Sequence, residues 1–173
     1  MSQPRSALAK TFVFTLVVPG VVAGLVPWLL ADTTPAVRGT QEWFAATTIS
    51  AGIAIYLYTS FWSFAWIGGG TPAPVAPTKT LVVSGLHRFV RNPMYIGVAF
   101  IIAGQAWLFH SLPIGIYLAF FALIVHLFVL YYEEPTLRGQ FGEQYERYRA
   151  SVPRWLPKIR LQGLGARHDR PFL

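Results

Sequence analysis

Two clusters in this chain carry residue types that could do chemistry. The first is Leu81 to Gly97, LVVSGLHRFVRNPMYIG, a short polar loop followed by the abrupt start of an apolar helix. Arg88 and Arg91 precede that helix, Asn92 and Pro93 open it, and Tyr95 and Gly97 lie in its first turns. The second cluster, Glu133-Glu134, closes the next long apolar run. A helix N-terminus with unpaired N–H groups attracts anions, and Arg91 adds a full charge beside it. Acidic residues at the end of an apolar helix are costly unless paired or hydrated, and they often mark function. Negative charge there also opposes the helix dipole, so a partner cation is expected, either Arg91 or a cationic ligand. Adjacent carboxylates on a helix point roughly 100° apart, so one can face the bundle and the other water. Together the clusters make anion-seeking and cation-seeking halves flanked by aromatics. A zwitterionic, cationic cofactor with hydroxyls and an aromatic base matches that pattern, as do many other ligands.

The elements that must bring these clusters together are apolar. Thr11 to Leu30 is a first span, interrupted by Pro19, Gly20 and Pro27 and kinked at Pro19. It is too long for the ~7–15-residue apolar core of a cleaved signal. Trp43 to Ile67 is an uncharged second span with Trp43 and Trp66 near its ends. The stretch Gly68 to Thr80, GGGTPAPVAPTKT, is the one long linker, either a passive connector or a cover over a site. Asn92-Pro93 is a helix start, with the Asn side-chain oxygen accepting a free N–H and Pro at the first position. The third span runs from Pro93 to about Phe109, the turn is His110-Ser111-Leu112-Pro113, and the fourth span continues to about Tyr132. So short a connection makes the last two an antiparallel hairpin. Beyond Pro135, EQYERYRA (Glu143 to Ala150) reads as a surface helix with Glu143 and Arg147 at i,i+4. The basic end from Lys158 to Leu173 is a tail.

The expected fold is all-α: a single polytopic membrane domain over residues 1–173 with about four transmembrane helices and a C-terminal cytoplasmic surface helix. Gly97 and Gly104 share one face of the third span; Gly104 reads as helix packing and Gly97 as a ligand contact. His126, two turns before Glu133, reads as an interhelical hydrogen-bonding residue.

Composition agrees. The chain has 173 residues, 54% hydrophobic and 12% charged, far from a soluble average. Its net charge of +7 fits positive loops and anionic headgroups. No folded polar domain presents a basic face, which argues against a nucleic-acid partner. The chain lacks cysteine, and its four histidines show no metal-ligand spacing. Arg5, Lys10, Lys79, Arg88, Arg91 and the Arg-rich end fall on one side after an even number of crossings. Both termini are therefore expected in the cytoplasm, with Ala and Arg richness hinting at a bacterial inner membrane. The Arg91 and Glu133 clusters then share one membrane face.

The run GLHRFVRNPMYIG, an apolar hairpin, and EEPTLRGQFGEQYERYRASVPRWLP recur in the order seen in the isoprenylcysteine carboxyl methyltransferase family. The chain resembles that family, and the related membrane phospholipid N-methyltransferases, over roughly Lys79 to Pro157. The resemblance implies S-adenosylmethionine-dependent methyl transfer at the membrane surface, with S-adenosylhomocysteine as product. The cofactor would enter from the cytoplasm and a lipophilic acceptor from the bilayer. It points to Lys79, Thr80, Leu81, Val82, His87, Asn92, Pro93, Met94, Tyr95 and Glu133 at the cofactor, and the charge of Arg91 and the small Gly97 add those two positions. Glu134 and Tyr95 are the candidates to assist catalysis.

Two positions depart from the family pattern. Asn92 stands where histidine is usual, and it cannot act as a general base near neutrality. Val129 stands four residues before Glu133, near where eukaryotic-type enzymes carry an arginine for a substrate carboxylate. Isoprenylcysteine-like carboxylates, phospholipid amines and small lipophilic thiols or acids stay open as acceptors. The competing readings are a non-enzymatic four-span scaffold or lipid-binding subunit, and a membrane reductase related to sterol reductases. No dinucleotide glycine fingerprint supports the last.

Overall fold

The computed structural model describes residues 12–13, 17–31, 39–67 and 80–157. All regular structure among them is helical. We label the helices α1 (Val17–Leu30), α2 (Thr40–Leu57, continued by a π-helical stretch, Tyr58–Ile67), α3 (Pro93–Leu108) and α4 (Leu112–Phe128). A π-helical turn, Val129–Glu133, joins α4 to α5 (Glu134–Phe141), and α6 is Glu143–Ser151. A 3-10 turn, Gly85–Arg88, precedes α3.

Among the described residues, two helices are long and apolar enough to cross a bilayer, Thr40–Trp62 with 23 residues and Leu112–Phe141 with 30. This is fewer than the four spans expected. Helix α3 has 16 residues, and at 1.5 Å per residue it spans about 24 Å, short of a hydrocarbon core of about 30 Å. For the first span, the described helix begins only at Val17. The fourth expected span also ends in a different place. The helix does not stop near Tyr132 but runs through Glu133 and Glu134 into α5. The glutamates are therefore mid-helix, and the opposition to a terminal dipole expected for them does not arise.

Prolines account for two of the places where the helices widen. Proline lacks an N–H and crowds the carbonyl one turn back. Two of the three π-helical stretches among the described residues lie just before one: Val21–Leu25 before Pro27, and Val129–Glu133 before Pro135. In α1 the Val26 N–H reaches back to the Val21 carbonyl. The neighbouring carbonyls are taken by other helices. Tyr117 Oη of α4 donates to Val22 O at 2.9 Å, and Gln105 Nε2 of α3 donates to Ala23 O at 2.8 Å. In an apolar surrounding such carbonyls need an internal partner, so a local defect in α1 becomes its attachment to the hairpin.

Helices α2 and α3 pack backbone to backbone. A Cβ on Gly97 would lie 2.8 Å from Gly52 O and 2.9 Å from Tyr56 N, and one on Gly104 would lie 3.0 Å from Ala45 O. Small residues thus set the closest helix approach. The α3–α4 hairpin forms as expected, with Ser111 Oγ accepting from Ile114 N at 3.4 Å to cap α4. Helix α4 leaves Phe120, Leu123 and Ile124 exposed, an apolar outer face. Helix α6 forms where a surface helix is expected, and its Glu143–Arg147 pair, 3.4 Å, is exposed.

Candidate functional site

The hairpin mouth gathers Arg91, Asn92, Tyr95, Glu133 and Glu134, as the short α3–α4 connection requires. Arg91 Nη1 lies 2.9 Å from Glu134 Oε1 and also donates to Tyr145 Oη at 3.1 Å. Glu134 is held from a second side by Arg154, Nε to Oε1 at 2.6 Å and Nη2 to Oε2 at 3.0 Å. Both Glu134 oxygens are therefore committed. The ion pair is well buried, with Arg91 and Glu134 side chains 10% and 5% exposed. The expectation that Glu134 assists catalysis meets a physical obstacle here. A carboxylate fixed by two guanidinium groups is a poor proton acceptor.

Glu133 has a different surrounding. The wide turn that ends at Glu133 sends the two carboxylates apart. Tyr95 Oη donates to Glu133 Oε2 at 3.2 Å. The cation expected for the acidic pair is thus found at Glu134, while Glu133 faces a phenol.

Asn92 does precede α3, with Pro93 at its start, but its side chain makes no capping bond. Its backbone is at φ −123° and ψ 55°, and Nδ2 instead donates to Arg154 O at 3.2 Å. The cap expected from sequence is replaced by a tether to the C-terminal segment. That segment, Val152 to Trp155, is the part of the site missed by sequence reasoning. Arg91 N donates to Pro153 O at 2.9 Å, and Trp155 Nε1 donates to His126 Nδ1 at 3.0 Å. An accepting Nδ1 leaves the imidazole proton on Nε2. His126 is thus a hydrogen-bonding residue, as expected, but its partner comes from beyond α6. Arg154 was visible in VPRWLP, yet only the fold shows that it doubles the charge on Glu134.

The other expected residues are spread along the approach to α3. Thr80 is exposed, Leu81 half-buried and Val82 buried; Lys79 lies outside the described residues. His87 is buried, and burial pulls its imidazole down to about 4 against a bond to the Ser84 backbone. Its ring is therefore neutral at ordinary pH. Tyr148 Oη donates to His87 O at 2.8 Å, fastening this loop to α6. Burial raises the Tyr148 phenol, and its bond to Glu134 raises the Arg154 guanidinium. Pro93 and Met94 are buried in the first turn of α3. Gly97, expected at a ligand, lies in the α2–α3 seam against Gly52 and Tyr56; its missing side chain makes room for a helix. Gly104 is a packing residue, as expected.

A cavity of about 430 Å³ opens beside the mouth between α1, α2, α3 and α4. Met94, Tyr95, Val98, Tyr117, Phe121 and Phe128 are among its walls, which are almost wholly apolar. Its size is that of a small-molecule site. Tyr95 is the hinge of the arrangement: its ring lines this cavity and its hydroxyl reaches Glu133. One further group is notable. Arg91 Nε is buried and has no hydrogen-bond partner among the described residues. A buried guanidinium N–H is costly to leave unpaired, and it can serve an anionic oxygen.

These features define a membrane-associated helical protein with an ionic mouth and an apolar cavity meeting at one helix start. The sequence profile of the phospholipid methyltransferase family matches residues 43–144, more than half of the chain. The chain belongs to that family, which implies methyltransferase activity in general. An uncharacterized protein of Haemophilus influenzae is 37% identical over 65 residues, covering 36% of this chain and 100% of that protein. The family match takes in Arg91 to Tyr95 and Glu133-Glu134, and it ends before Arg154 and Trp155.

Proposed function

We propose that this protein is an integral membrane methyltransferase that uses S-adenosylmethionine to methylate a lipophilic acceptor at the cytoplasmic membrane surface. The observation that carries this reading is the meeting, at Tyr95, of a polar mouth and an apolar cavity. One side suits a charged, water-borne cofactor and the other a lipid-borne acceptor. In this reading all four apolar helices cross a bacterial inner membrane and both termini are cytoplasmic. The shorter α1 and α3 then sit in a locally thinned bilayer, which costs fractions of a kcal/mol per Å of mismatch.

The residues present fit the cofactor. The unpartnered Arg91 Nε and the start of α3 offer donors for its carboxylate. Glu133 offers negative charge for its cationic end. Thr80, Leu81 and Val82, then His87, Asn92, Pro93 and Met94, would form the loop and helix start along which it lies. When bound, the cofactor supplies an activated methyl group on a sulfonium.

The rest is positioning by this chain. Arg91 and Arg154 hold Glu134, and Glu134 fixes the turn that aims Glu133 at Tyr95. The Tyr95 ring marks the boundary between mouth and cavity, so an acceptor filling the cavity ends where the hydroxyl begins. Asn92 and Trp155 fasten the C-terminal segment over the mouth and keep water from its edge. Alignment and water exclusion of this kind can supply most of the acceleration for methyl transfer. Where the acceptor carries a proton, Glu133 is the nearest carboxylate not tied up by arginine.

The test is transfer of labelled methyl from S-adenosylmethionine into a total bacterial lipid extract by the purified protein. Label should appear in the organic phase, in proportion to protein and not with a boiled control. Label confined to the aqueous phase would contradict the reading.

A further inference from the structure

We propose that Ser60, on the π-helical stretch of α2, is a cofactor-binding residue whose hydroxyl donates to the carboxylate of S-adenosylmethionine beside Arg91 Nε. This rests on the methyltransferase reading above and adds a residue of α2 to its site.

The first observation is an unmet donor. Ser60 is fully buried, and its Oγ has no hydrogen-bond partner among the described residues. Its neighbour Thr59 is equally buried, but Thr59 Oγ1 donates to Ile55 O at 2.7 Å. A hydroxyl inside a helix can turn back in this way to the carbonyl one turn earlier, and Ser60 does not. A buried hydroxyl without a partner is destabilising, so a ligand oxygen would satisfy what the fold leaves unmet.

The second is position. Helices α2 and α3 run antiparallel: Ala45 O lies against Gly104, and Gly52 O and Tyr56 N lie against Gly97. Each step forward along α2 is thus a step back along α3. Ser60 stands four residues beyond Tyr56, about 6 Å at 1.5 Å per residue, which brings it level with Pro93 at the start of α3. It also follows Tyr56 by one turn, on nearly the same face, and Tyr56 is a wall of the apolar cavity. The same turn of α2 touches the loop before α3, where a Cβ on Gly85 would lie 2.5 Å from Tyr58 Oη.

The third is the balance of donors and acceptors at this end of the molecule. The first N–H groups of a helix have no partner within it, and the Asn92 side chain does not cap α3. Arg91 Nε is buried and unpartnered, and so is Ser84 Oγ in the adjoining loop. Both Glu134 oxygens are already taken by Arg91 Nη1 and Arg154. Donors therefore outnumber acceptors, and a carboxylate brings two oxygens that each accept more than one bond. The helix form agrees. The other two π turns adjoin Pro27 and Pro135, whereas Tyr58–Ile67 ends five residues before Pro72. No adjoining proline accounts for this widening, and π turns recur at functional sites.

The experiment uses the full-length protein in detergent. Binding of labelled S-adenosylhomocysteine is measured, then its displacement by 5′-methylthioadenosine, which has the same nucleoside and no amino-acid end, then thermal unfolding without ligand. Ser60→Ala should weaken S-adenosylhomocysteine about tenfold, the scale of one hydrogen bond to a charged group. It should leave 5′-methylthioadenosine unchanged and the ligand-free midpoint unchanged or higher, because the fold loses an unmet donor and no bond. Thr59→Val, which removes a hydroxyl already satisfied within α2, should bind S-adenosylhomocysteine as the wild type does. Wild-type affinity in Ser60→Ala overturns the proposal. So do equal weakening of both ligands, a lower ligand-free midpoint, or the same loss in Thr59→Val. Each of these leaves the methyltransferase reading standing. No binding of S-adenosylhomocysteine by folded wild-type protein overturns both.

Discussion

Glu134 and Glu133 are adjacent in sequence and opposite in circumstance. Glu134 answers to Arg91 and Arg154 through both oxygens, and Glu133 answers to the Tyr95 phenol. The difference predicts separable effects. Glu134→Gln leaves the buried Arg91 guanidinium uncompensated, which costs about 3–5 kcal/mol in comparable buried pairs. Thermal unfolding in detergent should therefore start markedly lower for this variant. Glu146, whose partners Arg138 and Arg149 are exposed with it, should tolerate the same change with little shift, since solvent screens such pairs. An equal response from the two would mean that the Arg91–Glu134–Arg154 network does not hold the mouth together.

At the scale of elements, helix starts and pairings follow from local chemistry, and helix ends do not. Asn92-Pro93 marks the start of α3 in the sequence, and the His110–Pro113 turn places α4, whose helix already begins at Leu112. The sequence also implies that Arg91 and the glutamates share a membrane face, because the hairpin is short. Three things were not legible. Asn92 gives its side chain to the Arg154 carbonyl, a partner 62 residues away. The α4 helix continues past Tyr132 because a π turn absorbs Pro135. Gly97 packs on α2 because Gly52 stands opposite it, and one helix alone cannot reveal its neighbour. That last point is testable. Gly97→Ala places a methyl group 2.8 Å from the Gly52 carbonyl and 2.9 Å from the Tyr56 nitrogen, backbone atoms that cannot swing aside. It should cost about 1–3 kcal/mol, as other overpacked sites do. Gly115→Ala, with nothing within 4 Å of the added carbon, should be neutral or slightly stabilising. Circular dichroism melts of both variants in one detergent decide this.

For the whole molecule, four apolar helices present an ionic mouth at one end, and the C-terminal segment folds back to close it. Trp155 on His126, Arg154 on Glu134 and Pro153 on the Arg91 backbone place the last described turn of the chain over the first turn of α3. The family match covers α2 to the start of α6 but not this closure, so the closure was reachable only through structure. The central claim, that the mouth binds S-adenosylmethionine, is tested most directly by thermal unfolding with its product. S-adenosylhomocysteine at a hundred times its dissociation constant should stabilise the folded protein by about 2.7 kcal/mol, while NADPH should leave the midpoint where it is. A cooperative melt that does not move with S-adenosylhomocysteine, or that moves with NADPH instead, would contradict the account.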